Sequence, residues 1–313
     1  MKILVTGADG FVGSYLVKAL QQRNHTVIAG FLNATNVPAK SMEAVLLNIV
    51  DSEQVNSVVY NLQPNAIIHL AAQSMVKVAW ENPSDTVLVN TIGTTNIVKA
   101  VINFSQKTKI ITIGSSEEYG LTGKQGRPLN EDDYCLPQNP YAISKLAAGQ
   151  IALQLAEQEK INVIHVRPFN HFGPYQREGF VVSDFASQIA RMEKGPSERI
   201  LRVGDLSAQR DFTDVRDVIE AYVALLEKDV ETGIYNVCSG QPHTAGEILN
   251  TLLSQCKVQI EVQVDQEKFR PSNVPLFIGS AKKLTQATGW RPRRAFSNSI
   301  TETLEWWRSK YSR

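Results

Sequence analysis

Short apolar runs alternate with longer amphipathic stretches over the first half of the chain. Six runs have the length and composition of buried strands: KILVT (2–6), TVIAGF (26–31), AVLL (44–47), AIIHLAA (66–72), KIITIGS (109–115) and NVIHVR (162–167). The longer stretches, near 11–23, 51–62, 84–105 and 140–159, are predicted helices. This alternation predicts an α/β fold with a doubly wound parallel sheet of the Rossmann type, covered by helices on both faces.

The pattern changes after Arg167. The stretch RPFNHFGPYQREGF is rich in Gly, Pro, aromatic and polar residues, and it interrupts the regular alternation. Further helices are predicted near 180–194, 214–228, 244–256 and 297–310, with a buried strand at GIYNVCS (233–239). We expect a larger domain from residues 1–168 and 211–238, and a smaller C-terminal α/β domain from residues 169–210 and 239–313.

Length and charge narrow the class of protein. The 313 residues, 43% of them hydrophobic, suffice for one large domain or two. With 32 Lys and Arg against 31 Asp and Glu, the net charge is +1, so neither nucleic acid nor a membrane is an expected partner. Three cysteines without metal-ligand spacing predict no metal site and a reducing compartment, the cytoplasm. We find no signal or transit peptide and no apolar run of about 18 residues.

The motif TGADGFVG places three glycines between the first strand and the first helix. Gly7 permits a tight turn, Gly10 lets the backbone approach a pyrophosphate, and Gly13 lets helix and strand pack closely. The helix N-terminus then offers N–H donors to phosphate. The alternative is a tight turn that binds nothing. Because the motif lies within a βαβ unit, we predict a dinucleotide site.

The end of the second strand bears on the choice between NAD and NADP. A carboxylate there binds the ribose 2′-hydroxyl and repels a 2′-phosphate. In this chain VIAGFLNATN offers Gly30, Phe31, Leu32 and Asn33 instead, and no arginine. Lys40 could reach a 2′-phosphate or could simply be a solvated loop lysine. We therefore expect NADP(H) or NAD(H), with NADPH favoured.

A tyrosine and a lysine lie four residues apart in NPYAISKLAAGQ (139–150). On a helix Tyr141 and Lys145 would share one face, and Pro140 suits the first helical turn. Ser115 and Ser116 follow a predicted strand, and ligands in such sheets bind beyond the carboxyl ends of strands. The alternatives are an exposed helix pair for the tyrosine and lysine, and a strand-end cap for Ser115.

Together these motifs resemble the extended short-chain dehydrogenase/reductase superfamily, in its nucleotide-sugar branch. The resemblance runs over nearly the whole chain and rests on TGADGFVG, HLAAQS, GSSEEYG, PYAISK, RPFNHFGP, QRDFTDVRD and RPSNVP. It implies that Tyr141 is the catalytic acid/base, that Lys145 holds the nicotinamide ribose and lowers the tyrosine pKa, and that Ser115 hydrogen-bonds the reacting oxygen. The larger domain would hold the dinucleotide and the smaller one the nucleotide sugar.

His69 follows a buried strand and is expected to be structural. For His171 a catalytic base is the alternative, but we expect a structural histidine. The resemblance also implies a set of cofactor-binding positions. The cofactor-binding positions, besides Tyr141 and Lys145, are Gly7, Asp9, Gly10, Phe11, Val12, Gly13, Asn33, Asn48, Ile49, Leu70, Ala71, Ala72, Gln73 and Asn90.

Glu117 has two readings. It matches the position at which sugar-nucleotide 4,6-dehydratases carry the glutamate that removes the C5 proton, or it could hydrogen-bond sugar hydroxyls. Ser116, a candidate substrate contact, does not decide, because dehydratases of the GDP-mannose type also carry serine there.

The substrate diphosphate needs basic groups, since charge-assisted pairs are the strong ones. By resemblance, Arg210 in QRDFTD and Arg270 in RPSNVP match diphosphate ligands, and Arg202 in LRVGD is a third candidate. Asn170 in FNHFGP matches a residue that contacts the sugar-phosphate.

Within the branch, the motifs most resemble the GDP-6-deoxy-4-keto-mannose reductases, which make GDP-D-rhamnose. GDP-mannose 4,6-dehydratases and 4-epimerases are the second and third readings, and a non-catalytic cofactor-binding protein is a fourth. The resemblance also implies a homodimer formed through helices that flank the cofactor domain. Ile92, Ile97 and Val101 would suit that interface or could face the sheet.

Overall fold

The computed structural model describes residues 1–33, 43–195, 198–265 and 273–312. Its centre is a seven-stranded sheet, parallel throughout, in the order β10-β6-β5-β4-β1-β2-β3. The strands are β1 (Lys2–Thr6), β2 (Thr26–Phe31), β3 (Glu43–Leu46), β4 (Ala66–His69), β5 (Lys109–Ile113), β6 (Val163–Pro168) and β10 (Gly233–Val237). The doubly wound α/β fold predicted from the alternation is confirmed.

Helices cover both faces of this sheet, so its strands are almost wholly apolar. On one face pack α1 (Phe11–Gln22), α8 (Val215–Glu227) and α10 (Lys282–Thr288). On the other pack α2 (Ser52–Leu62), α5 (Gly93–Phe104) and α6 (Pro140–Glu159). The asparagine Asn139 caps α6 by accepting a hydrogen bond from the Ala142 N–H at 2.8 Å, and Pro140 occupies the first helical position.

The helix predicted at 84–105 is divided. It is preceded by the short helix α3 (Val76–Glu81), which the sequence did not indicate, and it consists of α4 (Pro83–Val87), a π-helical turn (Leu88–Ile92) and α5. By length and mean hydropathy the run Pro83–Phe104 could cross a membrane. Its residues Ile97 and Val101 are fully buried against the sheet, whereas Val87, Leu88 and Ile92 are exposed.

A smaller layer follows β6 along the chain. Four short strands form a mixed sheet: β7 (Asn170–Phe172), β9 (Gln209–Asp214), β11 (Pro242–Thr244) and β13 (Leu276–Phe277). Two more, β8 (Ile200–Val203) and β12 (Glu261–Val264), pair with each other. Around them α7 (Val181–Lys194), α9 (Ala245–Leu253) and α11 (Phe296–Tyr311) build a separate apolar core. The sequence did not indicate these six strands, because they mix polar with apolar residues, are partly exposed and form no continuous apolar run.

Candidate active site

The strand order reverses between β1 and β4, which are neighbours in the sheet. From β1 the chain winds outward through β2 and β3, and from β4 it winds the other way through β5 and β6. The loops that leave the carboxyl ends of β1 and β4 therefore diverge and open a crevice, the place where doubly wound sheets bind ligands. The candidate residues gather around this crevice.

The glycine turn after β1 is built for close approach. Gly7 has φ +66°, and a side chain there would lie 2.8 Å from the Ala71 backbone nitrogen. A side chain at Gly13 would overlap the Gly7 carbonyl oxygen. Helix α1 starts at Phe11 with Gly10 as its N-cap and no side chain capping its first N–H groups. This open helix N-terminus fits the pyrophosphate of a dinucleotide.

The loop after β4 forms the facing wall, with Leu70, Ala71, Ala72 and Gln73 partly exposed. Asn90, almost completely buried in the π-helical turn, holds this loop: its Oδ1 accepts from the Gln73 N–H at 2.9 Å and its Nδ2 donates to the Gln73 carbonyl at 3.0 Å. The same Nδ2 donates to the Ser144 Oγ on α6 at 3.0 Å. One amide thus joins the loop to the helix that carries Tyr141 and Lys145.

His69, at the end of β4, is a buried structural residue. The Thr94 hydroxyl donates to the Asn90 carbonyl, so at the His69 Nε2, 3.1 Å away, it can only accept. Nε2 therefore carries the proton, and Nδ1 accepts from the Thr6 hydroxyl at 2.8 Å. Burial, and secondarily the Lys145 charge, lower the pKa of His69 to about 3, so the ring is neutral.

Tyr141, Lys145 and Ser115 come together at the carboxyl end of β5. The Ser115 side chain lies near enough to the Tyr141 hydroxyl to act on the pKa of Tyr141, which it lowers. Lys145 is buried and its Nζ donates to the Ile113 carbonyl at 2.7 Å. Ser115 also caps the 3₁₀ turn Ser116–Tyr119 by accepting from the Glu117 N–H at 3.1 Å. The cap expected as an alternative for Ser115 therefore exists alongside its contact with the tyrosine.

The electrostatics of the pair differ from the expectation. Burial raises the pKa of Tyr141, and the charges of Glu117 and Glu118 add to the rise, whereas a lowered pKa was expected from Lys145. Burial lowers the pKa of Lys145 to about 8. The physical reason is that both groups lose solvent, and Lys145 directs its ammonium to a carbonyl at the strand end.

Glu117 lies in the 3₁₀ turn two residues after Ser115 and is partly exposed. Its carboxylate accepts from the Asn139 Nδ2 at 3.2 Å, and its charge acts on Arg210. Arg210, on β9, donates from Nη1 to the carbonyls of Gln209 and Val274, and burial lowers its pKa. This arginine therefore stands partly desolvated near the carboxylate.

The other predicted positions are spread around the crevice. Asn170 is exposed on β7, and the next residue, His171, stacks its ring on Phe11 with centroids 6.2 Å apart. Ser116 is buried, and Arg202 on β8 pairs with Glu198 at 3.5 Å.

The remaining cofactor positions lie on α1 or near β2 and β3. Val12 is partly buried in α1, and Asp9 is exposed in the glycine turn. Asn33 and Asn48 are exposed after β2 and β3, and Ile49 is buried against Gly93. Lys40 and Arg270 lie outside the described residues.

Two residues at the site were not found from the sequence. Asn139 binds Glu117, and its position before Pro140 signals only a helix cap. Glu118 is completely buried and accepts from the Ser115 N–H at 2.9 Å. An acidic residue beside Glu117 gave no sign that it points into the core.

Comparison with known proteins agrees with this geometry. The profile of the family described as GDP-mannose 4,6 dehydratase matches residues 4–303. The GDP-6-deoxy-D-mannose reductase of Pseudomonas aeruginosa is 35% identical over 309 residues, which cover 99% of this chain and 98% of the relative.

Two solved structures share the fold over nearly their whole length. RMD from Pseudomonas aeruginosa, complexed with NADPH, has a TM-score of 0.88 at 33% identity and covers 99% of each chain. The UDP-glucose 4-epimerase of Thermus thermophilus, complexed with NAD, has a TM-score of 0.86 at 30% identity, covering 98% of this chain and 99% of that one. The predictions of a Rossmann fold and of an enzyme from the nucleotide-sugar branch are confirmed. This chain belongs to the GDP-mannose 4,6-dehydratase family of extended short-chain dehydrogenases/reductases.

Proposed function

We propose that this enzyme reduces the C4 keto group of a nucleotide 4-keto-6-deoxy-hexose, GDP-4-keto-6-deoxy-D-mannose, to give GDP-D-rhamnose. The observation that carries the proposal is the grouping of Tyr141, Ser115 and the buried Lys145 at the carboxyl end of β5, the strand next to β4 at the switch point. The similarity to a GDP-6-deoxy-D-mannose reductase over the full chain supports the choice of reaction.

The cofactor proposed is NADPH, with NADH as an alternative. The open N-terminus of α1 and the close approach at Gly7 and Gly13 fit its pyrophosphate. Asn33, exposed at the end of β2, brings no negative charge against a 2′-phosphate. Lys145 would hold the nicotinamide ribose, and the loop Leu70–Gln73 would lie along that half of the cofactor.

The reaction adds a hydride to C4 and a proton to O4. NADPH, when bound, supplies the hydride. Ser115 orients the keto oxygen by a hydrogen bond, and Tyr141 donates its proton to that oxygen as the negative charge develops. The Tyr141 hydroxyl is protonated at neutral pH, as an ordinary phenol is, and burial, which raises its pKa, keeps it so until the proton is transferred. The charge of Lys145 stabilises the phenolate that remains.

The nucleotide sugar would lie between the large sheet and the smaller layer. We propose that residues 1–168 and 211–238 hold the dinucleotide and that residues 169–210 and 239–313 bind the sugar nucleotide. Arg210 lies near Glu117 and can meet the diphosphate, while Asn170 is exposed on β7 and open to a ligand. Arg202 and Arg270 remain predicted diphosphate ligands, and Ser116 a predicted sugar contact.

A second candidate function is 4,6-dehydration. It is favoured by the position of Glu117, which is held by Asn139 at the mouth of the Ser115–Tyr141 group. A carboxylate there could remove the C5 proton of a 4-keto sugar and return it to the leaving hydroxyl.

Two incubations separate these functions. In one the protein meets GDP-4-keto-6-deoxymannose and NADPH, and in the other GDP-mannose and NADP⁺, with product sugars identified by NMR. We expect turnover in the first, with one NADPH consumed per sugar reduced. If the protein turned over GDP-mannose but not the 4-keto sugar, it would be a dehydratase and not a reductase.

The assembly and compartment are proposed as a homodimer in the cytoplasm. Trp80, Leu88, Ile92, Ile143 and Ile151 are between 37% and 62% exposed on α3, the π-helical turn and α6. A second copy of the chain would cover this surface. The three cysteines, all among the described residues, are unpaired, as in a reducing compartment.

A further inference from the structure

A buried ionic cluster lies behind the reacting groups. Glu118, His165 and Arg167 are each at most 2% exposed. The Arg167 Nε donates to one Glu118 oxygen at 2.7 Å, and the His165 Nε2 lies 3.1 Å from the other. Burying charges is costly even when they are paired, so such a cluster calls for an explanation.

Glu118 holds Ser115 in place. Its carboxylate accepts the Ser115 N–H, while the Ser115 hydroxyl caps the same 3₁₀ turn. Both the main chain and the side chain of the serine are therefore fixed by the turn that Glu118 anchors.

The backbone segments that carry the reacting groups pack directly against the cluster. A side chain at Gly114 would overlap the Glu118 carboxylate, and one at Gly149 would overlap the His165 imidazole. Gly114 lies between Ile113, whose carbonyl receives Lys145, and Ser115. Gly149 lies one helical turn after Lys145 on α6. No intervening side chain separates these backbones from the cluster.

We propose that Glu118 is a positioning residue for the reaction, which fixes Ser115 and places a permanent negative charge behind Lys145 and Tyr141. This inference rests on the proposed function, because it assumes that these three residues serve the reduction.

The charges around Lys145 predict in which direction the pKa of Lys145 shifts when Glu118 loses its charge. Burial lowers the pKa of Lys145 to about 8, and the negative charge of Glu118 opposes that fall. Burial raises the pKa of Glu118, but His165, Arg167 and the Ser115 N–H outweigh it, so the net shift is downward and the carboxylate stays ionised. The titratable groups that face Lys145 and Glu118 from neighbouring elements are His69, Glu117, Tyr119, Tyr141, His165 and Arg167.

The test is the pH dependence of NADPH binding, followed by nucleotide fluorescence between pH 6.5 and 10. In the unaltered protein we expect the affinity to fall above about pH 8, as Lys145 loses its proton. In Glu118→Gln the midpoint should move to lower pH by roughly one unit, since a close opposite charge shifts a pKa by about 1–3 units. A midpoint equal to that of the unaltered protein would overturn the proposal.

Glu118→Asp separates the effect of the negative charge from the effect of side-chain length. The charge remains, so the midpoint should move less than in Glu118→Gln, but the shorter side chain releases the Ser115 N–H, and kcat for the keto sugar should fall at every pH. If Glu118→Gln does not fold, as judged by circular dichroism, this variant carries the test: an unchanged kcat in Glu118→Asp contradicts the proposal.

The matched control is Glu131→Gln. Glu131 is also largely buried and accepts a backbone N–H, that of Asn236 at 2.8 Å, but its charge is not among those that act on Tyr141 or Lys145. Its NADPH midpoint should stay in place. Because NADPH binding needs no sugar, a shifted midpoint in a protein that reduces no 4-keto sugar would refute the proposed function and leave the role of Glu118 toward Lys145 standing.

Discussion

At the scale of single residues, the site holds two acidic groups, Tyr141 and Glu117, in different surroundings. Tyr141 is partly buried near Ser115, and burial raises its pKa, so it holds a proton at neutral pH. Glu117 faces outward, bound to Asn139 and near Arg210. Reduction needs only the proton from the tyrosine, whereas dehydration also needs a base at the position of Glu117.

Two substitutions therefore distinguish the reactions. Tyr141→Phe removes only the hydroxyl, and we expect kcat for the 4-keto sugar to fall by about 10²–10⁴-fold, the usual contribution of general acid catalysis. Glu117→Gln preserves size and most sugar hydrogen bonds, and kcat should stay within about tenfold of the unaltered enzyme. Both are measured as NADPH oxidation with the 4-keto sugar in excess.

Tyr60→Phe is the control for the tyrosine, because Tyr60 lies on α2 and is 61% exposed. It should leave kcat unchanged. If Glu117→Gln lost as much activity as Tyr141→Phe while still binding NADPH, direct reduction as drawn here would be wrong.

At the scale of elements, the divided helix before α6 joins the two walls of the crevice. The π-helical turn brings Asn90 to the loop after β4 and to Ser144 on α6 at once. A π-helical turn within an α-helix is often found at functional sites. Here it turns one amide toward two elements that both border the proposed nicotinamide pocket.

Asn90→Ala should weaken the connection between the loop after β4 and α6. It leaves the partly buried N–H and carbonyl of Gln73 without their Asn90 partners, which costs at most about 1–3 kcal/mol in unfolding free energy. We expect a lower melting temperature and weaker NADPH binding, since the Gln73 loop loses its anchor.

Asn61→Ala, on the exposed face of α2, is the matched change, because the Asn61 amide bonds only Ser57 within its own helix. It should move neither quantity. An Asn90→Ala protein with full stability and unaltered NADPH affinity would show that the loop keeps its shape without this asparagine.

At the scale of the whole molecule, an apolar surface runs over the helices outside the crevice. Pro83, Val87, Leu88 and Ile92 line a shallow groove in it, and Ile143 and Ile151 of α6 are exposed. Ile97 and Val101, the other residues expected at an interface, face the sheet instead, because α5 supplies the core of that face. Exposed apolar patches of this kind mark interaction surfaces.

Leu88→Lys tests the proposed dimer. A lysine buried without a partner in an interface costs several kcal/mol, so the dimer should weaken by at least about a hundredfold. Light scattering after size exclusion would then report a monomer. Val264→Lys, at a 57% exposed valine on β12, should leave the dimer intact. A Leu88→Lys protein that remains dimeric would move the interface elsewhere.

The sequence determined the large sheet, because all of its strands except the exposed edge strand β3 are largely buried and mainly apolar. All seven strands predicted for this sheet and the helix α6 lie where the pattern placed them, and α6 begins at the Asn-Pro signal. The glycine turn could also be predicted from the sequence, because it needs glycine locally: Gly7 adopts a positive φ and lies close to the Ala71 backbone. The strands of the smaller layer escaped detection because they mix polar with apolar residues and form no continuous apolar run.

What only the tertiary structure decided concerns buried polar groups. The sequence placed Tyr141, Lys145 and Ser115 at one site but predicted a lowered pKa for the tyrosine, and burial raises it instead. It gave Glu118 no role, although this carboxylate anchors Ser115 from within the core. The physical reason is that apolar patterning and glycine turns are local, whereas desolvation and the pairing of Glu118 with His165 and Arg167 depend on residues about 50 positions apart.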